Sequence, residues 1–250
     1  ELVAPRRMKL HMMGLGRSIG TPPQGITAPV LVVKSFADLR APAAGARGRI
    51  VLWNVPFTTY GQTVVYRGVG ADSASAVGAV ASLVRSVTPQ SLRSPHTGGM
   101  NYDPSGRIGK IPSAAISVVD TEMLQRMQDR GGRPQVKLTM GARTLPPATS
   151  HNVVAEIRGS EKPDEIIVMG GHIDSWDVGQ GAMDDAGGCV AAWEALRLIK
   201  LSGVRPKRTI RVVLWTAEEI GINGGTAYRD AHRAEVDKHV LAMESDNGVF

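Results

Sequence analysis

The chain has 250 residues, 42% hydrophobic and 21% charged, which excludes a disordered polymer and gives length for one large domain or two smaller ones. Its formal net charge of +6 does not mark a nucleic-acid binder, because the 29 Lys and Arg are scattered as singles and pairs and only 4% of residues are aromatic, leaving neither a basic stripe nor a stacking platform. No apolar run reaches the roughly 18 residues of a membrane span, and the single cysteine, Cys189, excludes an internal disulfide.

The opening residues, ELVAPRRMKLHMMG, have no initiator Met and no apolar core or cleavage pattern of a secretory signal, as expected of a piece of a longer chain. Gly14, Gly16 and Gly20 miss the dinucleotide-binding spacing by one, and Thr21-Pro22-Pro23 follows where a helix should begin. Short β-branched runs at Pro29 to Lys34, Arg49 to Trp53, Ala114 to Val119 and Gln135 to Met140 read as strands between Gly and Pro punctuation. Helical spacing is expected over Gly70 to Arg85, with Val77, Val80, Ala81 and Val84 on one face, and over Thr121 to Arg130, with Asp120 as N-cap and Gly131-Gly132 as the stop. His96, in the loop Ser94 to Gly99, is expected to be exposed or locally bonded.

Leu145 to Ser150, with paired prolines, reads as a linker between an α/β domain over 1–147 and a second domain over 148–250. The second part alternates strand and helix: Glu165 to Met169, Gly188 to Lys200, Thr209 to Trp215, Gly225 to Arg233, His239 to Met243. Its strands are continuously apolar, the pattern of a largely parallel sheet flanked by helices on both faces. Cys189 falls in the first of these helices and reads as a buried structural thiol.

All three strands of this part end in groups that carry chemistry. The first runs through Gly170-Gly171 into His172, Asp174, Asp177, Asp184 and Asp185; the second into Glu218-Glu219; the third into Glu244-Ser245-Asp246. Ligands of an open parallel sheet sit at the carboxyl ends of its strands, so one His and several carboxylates converge there. Taken singly, each motif has a bland reading: Asp-Asp before Gly-Gly is a turn that caps a helix, and Glu-Glu is a solvated helix start. Together, His with Asp and Glu and without Cys suits divalent metals held through nitrogen and oxygen, zinc foremost. Neighbouring residues of an extended chain point apart, so one glutamate of the pair can ligate a metal while the other accepts a proton from water.

The stretches GGHIDSWDVGQGAMDDAGG, RPKRTIRVVLWTAEEIG and MESDNG resemble the co-catalytic zinc exopeptidases, and GLGRSIGTPPQGITAPVLVV, SPHTGG, IPSAAISVVDTEM and NVVAEIRGS extend the resemblance over nearly the whole chain. The resemblance implies two Zn²⁺ ions, with His172 and Asp246 on the first, Asp184 bridging both, Glu219 on the second, Glu218 as general base and Asp174 orienting His172. It implies a cis peptide between Asp184 and Asp185, a protease-associated-like α/β domain over the first part, a short peptide as substrate (chiefly dipeptides), a homodimer, and a secreted or lysosomal setting. The family's last ligand is a His well downstream of the third motif, and neither His232 nor His239 lies in a matching motif; the chain is then the leading part of a dipeptidase or carboxypeptidase. Two other readings stay open, a non-catalytic protein that keeps the fold to bind a partner and an aminopeptidase with the same metal centre.

Overall fold

A computed structural model describes residues 1–41, 45–176 and 179–246, so Asp177 lies outside the described residues. The chain divides into two units, Glu1–Pro146 and Pro147–Phe250.

The first unit is built on β1 (Leu2–Ala4), β2 (Met12–Gly14), β3 (Ile26–Val33), α1 (Phe36–Arg40), β4 (Ile50–Trp53), α2 (Tyr60–Ala76), β5 (Ala81–Arg85), β6 (Ser113–Ile116), α3 (Val118–Asp129) and β7 (Gln135–Leu138). Its seven-stranded sheet has the order β1-β7-β3-β4-β5-β6-β2. The inner four strands, β3 to β6, run parallel, and the outer ones pair antiparallel. Every residue of β4 is buried. Ile50 and Leu52 pack with Leu83, Ile116, Leu124 and Val136, while Val51 and Trp53 pack with Val33, Ala71, Ala74 and Met100. Both faces of the central strands are therefore covered, which explains their unbroken apolar sequence.

Two expectations change here. The helix read over Gly70 to Arg85 begins ten residues earlier, at Tyr60, where the Thr59 side chain accepts from the Gln62 N–H; it ends at Ala76. Gly78, at φ +85°, turns the chain into β5, so Ala81 to Arg85 is a buried strand. Gly61, Gly68 and Gly70 obscured the true helix, since glycine lowers helix propensity. Gly70 has a packing reason: a Cβ there would stand 2.6 Å from the Trp53 indole nitrogen. The third helix is capped by Ser117, whose hydroxyl accepts from the Asp120 N–H at 3.1 Å, and the Asp120 carboxylate instead accepts from the His11 N–H at 2.7 Å. Strands β1 and β2, three residues each, carry too little pattern to read from sequence.

The second unit contains β8 (Val153–Ile157), β9 (Lys162–His172), α4 (Ala186–Leu201), β10 (Arg208–Trp215), α5 (Asn223–Ala231), a 3-10 turn over Arg233–Lys238 and β11 (His239–Glu244). Its sheet has the order β11-β9-β10-β8, with β9, β10 and β11 parallel and β8 antiparallel on β10. Ala192 and Leu196 of α4 pack with Val212 on one face, and Tyr228 of α5 packs with Ile166, Val168 and Val213 on the other. At the edge, β11 exposes Val240, Leu241 and Met243, so covering on both faces holds for the inner strands and not for this one. Strand β8 escaped the sequence reading because its five residues are exposed or half-buried and lack a clear alternation. Strand β9 is the larger correction, since it runs through Gly170-Gly171 and ends at His172 rather than at Met169.

Candidate metal centre

His172 is the last residue of β9, paired in register with Trp215 of β10, and it is 1% exposed. The glycines before it are there for close approach and do not break the strand. A Cβ on Gly171 would strike the Asp185 carboxylate and stand 2.5 Å from the Cys189 amide nitrogen, so the first turn of α4 lies directly on this backbone. The bland reading of Asp-Asp is realised in the second residue: Asp185 caps α4, accepting from the Gly188 N–H at 3.0 Å and from the His172 N–H at 3.0 Å. A buried carboxylate needs such charge-assisted bonds. Cys189 adds a contact from its Sγ to the His172 carbonyl at 3.1 Å, and burial, then the Asp185 charge, pushes its thiol up to about 11, so it stays protonated. The Asp184–Asp185 peptide is cis.

The imidazole of His172 has its two nitrogens committed differently. Nδ1 lies 2.8 Å from the Asp174 carbonyl oxygen, which can only accept, so Nδ1 carries a proton. Nε2 then faces the Asp184 carboxylate at 2.9 Å and the Asp246 carboxylate at 3.6 Å. A bare lone pair opposite two carboxylates is repulsive, so this position calls for a cation, either a proton or a metal. Among the described residues, His172, Asp184 and Asp246 form a group whose ligand atoms all lie within 4.8 Å of one another. Donors bound tetrahedrally to zinc are about 3.3 Å apart given bonds of about 2.0 Å, so small side-chain movements suffice. Electrostatics agree: burial opposes a charge on His172, yet the Asp174 carbonyl and the charges of Asp184, Asp246 and Glu218 outweigh it and raise its pKa. Asp246 is raised too, by burial and then by Asp184.

Glu218 and Glu219 sit past the end of β10, on a turn instead of the extended chain expected. Ala217 and Ile222 have φ of +52° and +58°, and the Glu218 carbonyl accepts from the Gly221 and Ile222 N–H groups, both at 2.8 Å. The Asp174 carboxylate accepts from the Glu218 N–H at 2.9 Å and the Glu219 N–H at 3.2 Å. Asp174 thus orients His172 through its backbone, with its carboxylate at 3.6 Å from Nδ1, and spends that carboxylate on the glutamate turn. Burial raises the pKa of Glu218; burial and then the Asp184 charge push Glu219 up to about 7, against a hydrogen bond from the Trp176 side chain. Both glutamates therefore share one electrostatic environment with His172 and Asp184. Trp176 carried no signal in the sequence that would have placed it here.

His232 and His239 lie at the other end of this unit's sheet. They flank the 3-10 turn, and His239 starts β11 with its Nε2 2.9 Å from the Tyr228 hydroxyl. In the first unit, His96 is exposed and locally bonded: its N–H donates to Ser86 Oγ at 2.7 Å and its Nδ1 lies 3.2 Å from Arg67 Nη1.

Comparison with known proteins adds the following. Residues 152–249, in the second unit, match the pattern of peptidase family M28. The chain is 54% identical to carboxypeptidase Q of Xenopus laevis over 249 residues, covering 100% of this chain and 53% of that protein. It thus spans about half the length of the curated relatives it matches. A peptidase M28 precursor from Shewanella amazonensis, solved as a crystal structure, is 39% identical with a TM-score of 0.91, over 99% of this chain and 57% of the other. A zinc aminopeptidase from Bacillus subtilis is 25% identical with a TM-score of 0.63, over 92% of this chain and 50% of the other.

Proposed function

We propose that this chain, whose residues 152–249 match the pattern of peptidase family M28, supplies the metal-binding and proton-transfer groups of a zinc exopeptidase acting on short peptides. The observation that carries the reading is the His172 ring, buried to 1% exposure with Nδ1 committed to a carbonyl and Nε2 aimed at Asp184 and Asp246. The donor set, nitrogen and carboxylate oxygen without thiolate, fits zinc. In this reading His172 and Asp246 would hold one ion, Glu219 would hold a second, and Asp184 would serve both. Bound there, zinc would lower the pKa of a water and stabilise negative charge on the oxygen of the scissile carbonyl.

The chain's own groups would do the rest. Glu218 is held at the tip of a turn fixed by Asp174, and its raised pKa suits a carboxylate that accepts a proton from the attacking water and returns it to the leaving amine. The Asp174 carbonyl keeps the Nδ1 proton of His172 in place, so the lone pair of Nε2 stays available to a metal. The first unit would be the protease-associated-like domain, and the substrates would be dipeptides with free termini in a secreted or lysosomal setting. An aminopeptidase with the same centre is the second reading, supported by the likeness to the Bacillus subtilis zinc aminopeptidase.

Zinc titration of the chelator-treated chain, with and without His172→Ala, tests the centre. The variant should lose affinity by at least about 100-fold; equal affinity would overturn the assignment. Dipeptides blocked at one end or the other, offered to a protein of the relatives' full length that carries this chain, separate carboxypeptidase from aminopeptidase; cleavage of neither the blocked nor the free peptides would leave a partner-binding fold as the better reading.

A further inference from the structure

We infer that Asn152 is a positioning residue for the turn that carries Glu218 and Glu219. Asn152 stands immediately before β8, the antiparallel edge strand, next to the carboxyl end of β10. Its side-chain Oδ1 accepts from the Thr216 N–H at 3.0 Å, and its Nδ2 donates to the Gly224 carbonyl at 2.9 Å. Thr216 and Gly224 are the two ends of the turn, and they are joined to each other by a bond from the Gly224 N–H to the Thr216 carbonyl at 2.9 Å. One amide side chain therefore closes the loop on which both glutamates are displayed.

The chemistry of the position is specific. An amide offers an acceptor and a donor from one rigid group, whereas a carboxylate would face the Gly224 carbonyl with a second acceptor and an alanine would offer neither. Space is equally restricted: a Cβ on Gly224 would strike the Thr216 carbonyl and stand 2.5 Å from Asn152 Oδ1. The turn needs holding, because Ala217 and Ile222 both adopt positive φ, a region that a β-branched residue such as isoleucine rarely enters. Two clamps meet there. The Asp174 carboxylate holds the middle through the Glu218 and Glu219 N–H groups, and Asn152 holds the ends. Ser150 supports the same corner, its Oγ 2.7 Å from Thr216 Oγ1.

The metal-related half of this inference rests on the proposed function, since it is there that Glu219 ligates and Glu218 transfers a proton. The test uses the chain itself, with Asn152→Ala, Asn152→Asp and, as a neighbouring control, His151→Ala. Amide hydrogen exchange at Thr216 and Gly224 reports the clamp, and the visible absorption spectrum and affinity of cobalt(II), replacing zinc, report the site. In Asn152→Ala both amides should exchange about tenfold faster or more, and cobalt should bind about tenfold more weakly with an altered spectrum. Asn152→Asp keeps an acceptor for the Thr216 N–H but sets a second carboxylate oxygen against the Gly224 carbonyl, so Thr216 should stay protected while the Gly224 N–H, whose acceptor is the Thr216 carbonyl, should exchange faster as that end of the turn is pushed away; this keeps the inference testable if the alanine variant does not fold. His151→Ala should change none of these. Unchanged exchange at both amides would overturn the inference, and so would faster exchange with an unchanged cobalt spectrum and affinity. Failure of the wild-type chain to bind cobalt would count against the proposed function instead, while the exchange rates would still decide whether Asn152 holds the turn.

Discussion

Zinc binding to this chain should be a proton-release reaction with a steep pH dependence on the acid side of neutrality. In the metal-free protein Glu219 has its pKa pushed up to about 7 by burial and the Asp184 charge. Such a group is about nine-tenths protonated at pH 6 and about one-tenth at pH 8. His172 is raised as well; burial opposes its charge, but the Asp174 carbonyl, Asp184, Asp246 and Glu218 more than compensate. If both donate to metal, each must first lose a proton. Zinc should then displace nearly one proton from Glu219 alone at pH 6, with His172 adding to it, and the apparent affinity should fall about tenfold per pH unit for each fully protonated donor. Calorimetric titration in buffers of different ionisation enthalpy measures the protons directly. Stability gives a second view. Both groups bind protons more tightly in the folded chain, so the stabilisation they give is present at low pH and is lost as the pH rises, for Glu219 from about 4.5 through about 7. The metal-free chain should therefore melt at lower temperature at pH 8 than at pH 6 as far as these groups decide it, and zinc should reverse that order. Zinc binding that released no protons at pH 6, or released the same number at pH 6 and pH 8, would refute the reasoning.

The two adjacent aspartates should behave differently on substitution. Asp185, 1% exposed, caps α4 and satisfies the buried His172 N–H, so Asp185→Ala should lower the unfolding free energy by about 2–4 kcal/mol in a denaturant titration; Asp184, with its side chain 65% exposed, should change stability by less than about 0.5 kcal/mol on going to Ala while removing tight zinc binding. Glu218→Gln, placed in a protein of the relatives' full length, should keep zinc by metal analysis and lose at least about 100-fold in turnover of a dipeptide. In the first unit, Leu52 is 0% exposed on a strand covered on both faces, and Leu52→Ala should cost about 2–5 kcal/mol, read by thermal unfolding, with zinc affinity unchanged.

What was legible in the sequence followed how far each feature was encoded locally. Strands β3, β4, β9 and β10 were found because burial on both faces forces unbroken apolar runs, and the residues at their carboxyl ends were found with them. Two kinds of residue were misread. Glycines were read as punctuation where they mark contact: Gly70 under Trp53 hid α2, and Gly170-Gly171 were read as ending β9 at Met169, three residues before His172. Side chains whose roles run through backbone atoms were also hidden. That Asp174 uses its carbonyl for His172 and its carboxylate for the Glu218 and Glu219 N–H groups depends on a turn with two positive φ values, which residue types alone do not announce. Asn152 is the same case, an amide whose partners are all main-chain atoms far along the chain.

The Asp184-Asp185 pair shows why the bland and functional readings of one motif need not compete. A helix cap and a metal ligand are both made by a short carboxylate near free N–H groups or a cation, so sequence alone cannot assign the two roles. The fold divides them by burial. Asp185 turns inward, where its two oxygens are taken by the Gly188 and His172 N–H groups, and Asp184 is left at the surface of the site with Oδ1 on His172 Nε2. The division also couples them: the cap that starts α4 fixes the His172 backbone from one side, while the Cys189 Sγ on the first turn of α4 meets the His172 carbonyl from the other. The ring whose Nε2 is proposed to meet a cation is thereby held by the helix start itself, so loosening α4 at Asp185 should weaken the proposed metal binding even though both Asp185 oxygens are spent on N–H groups.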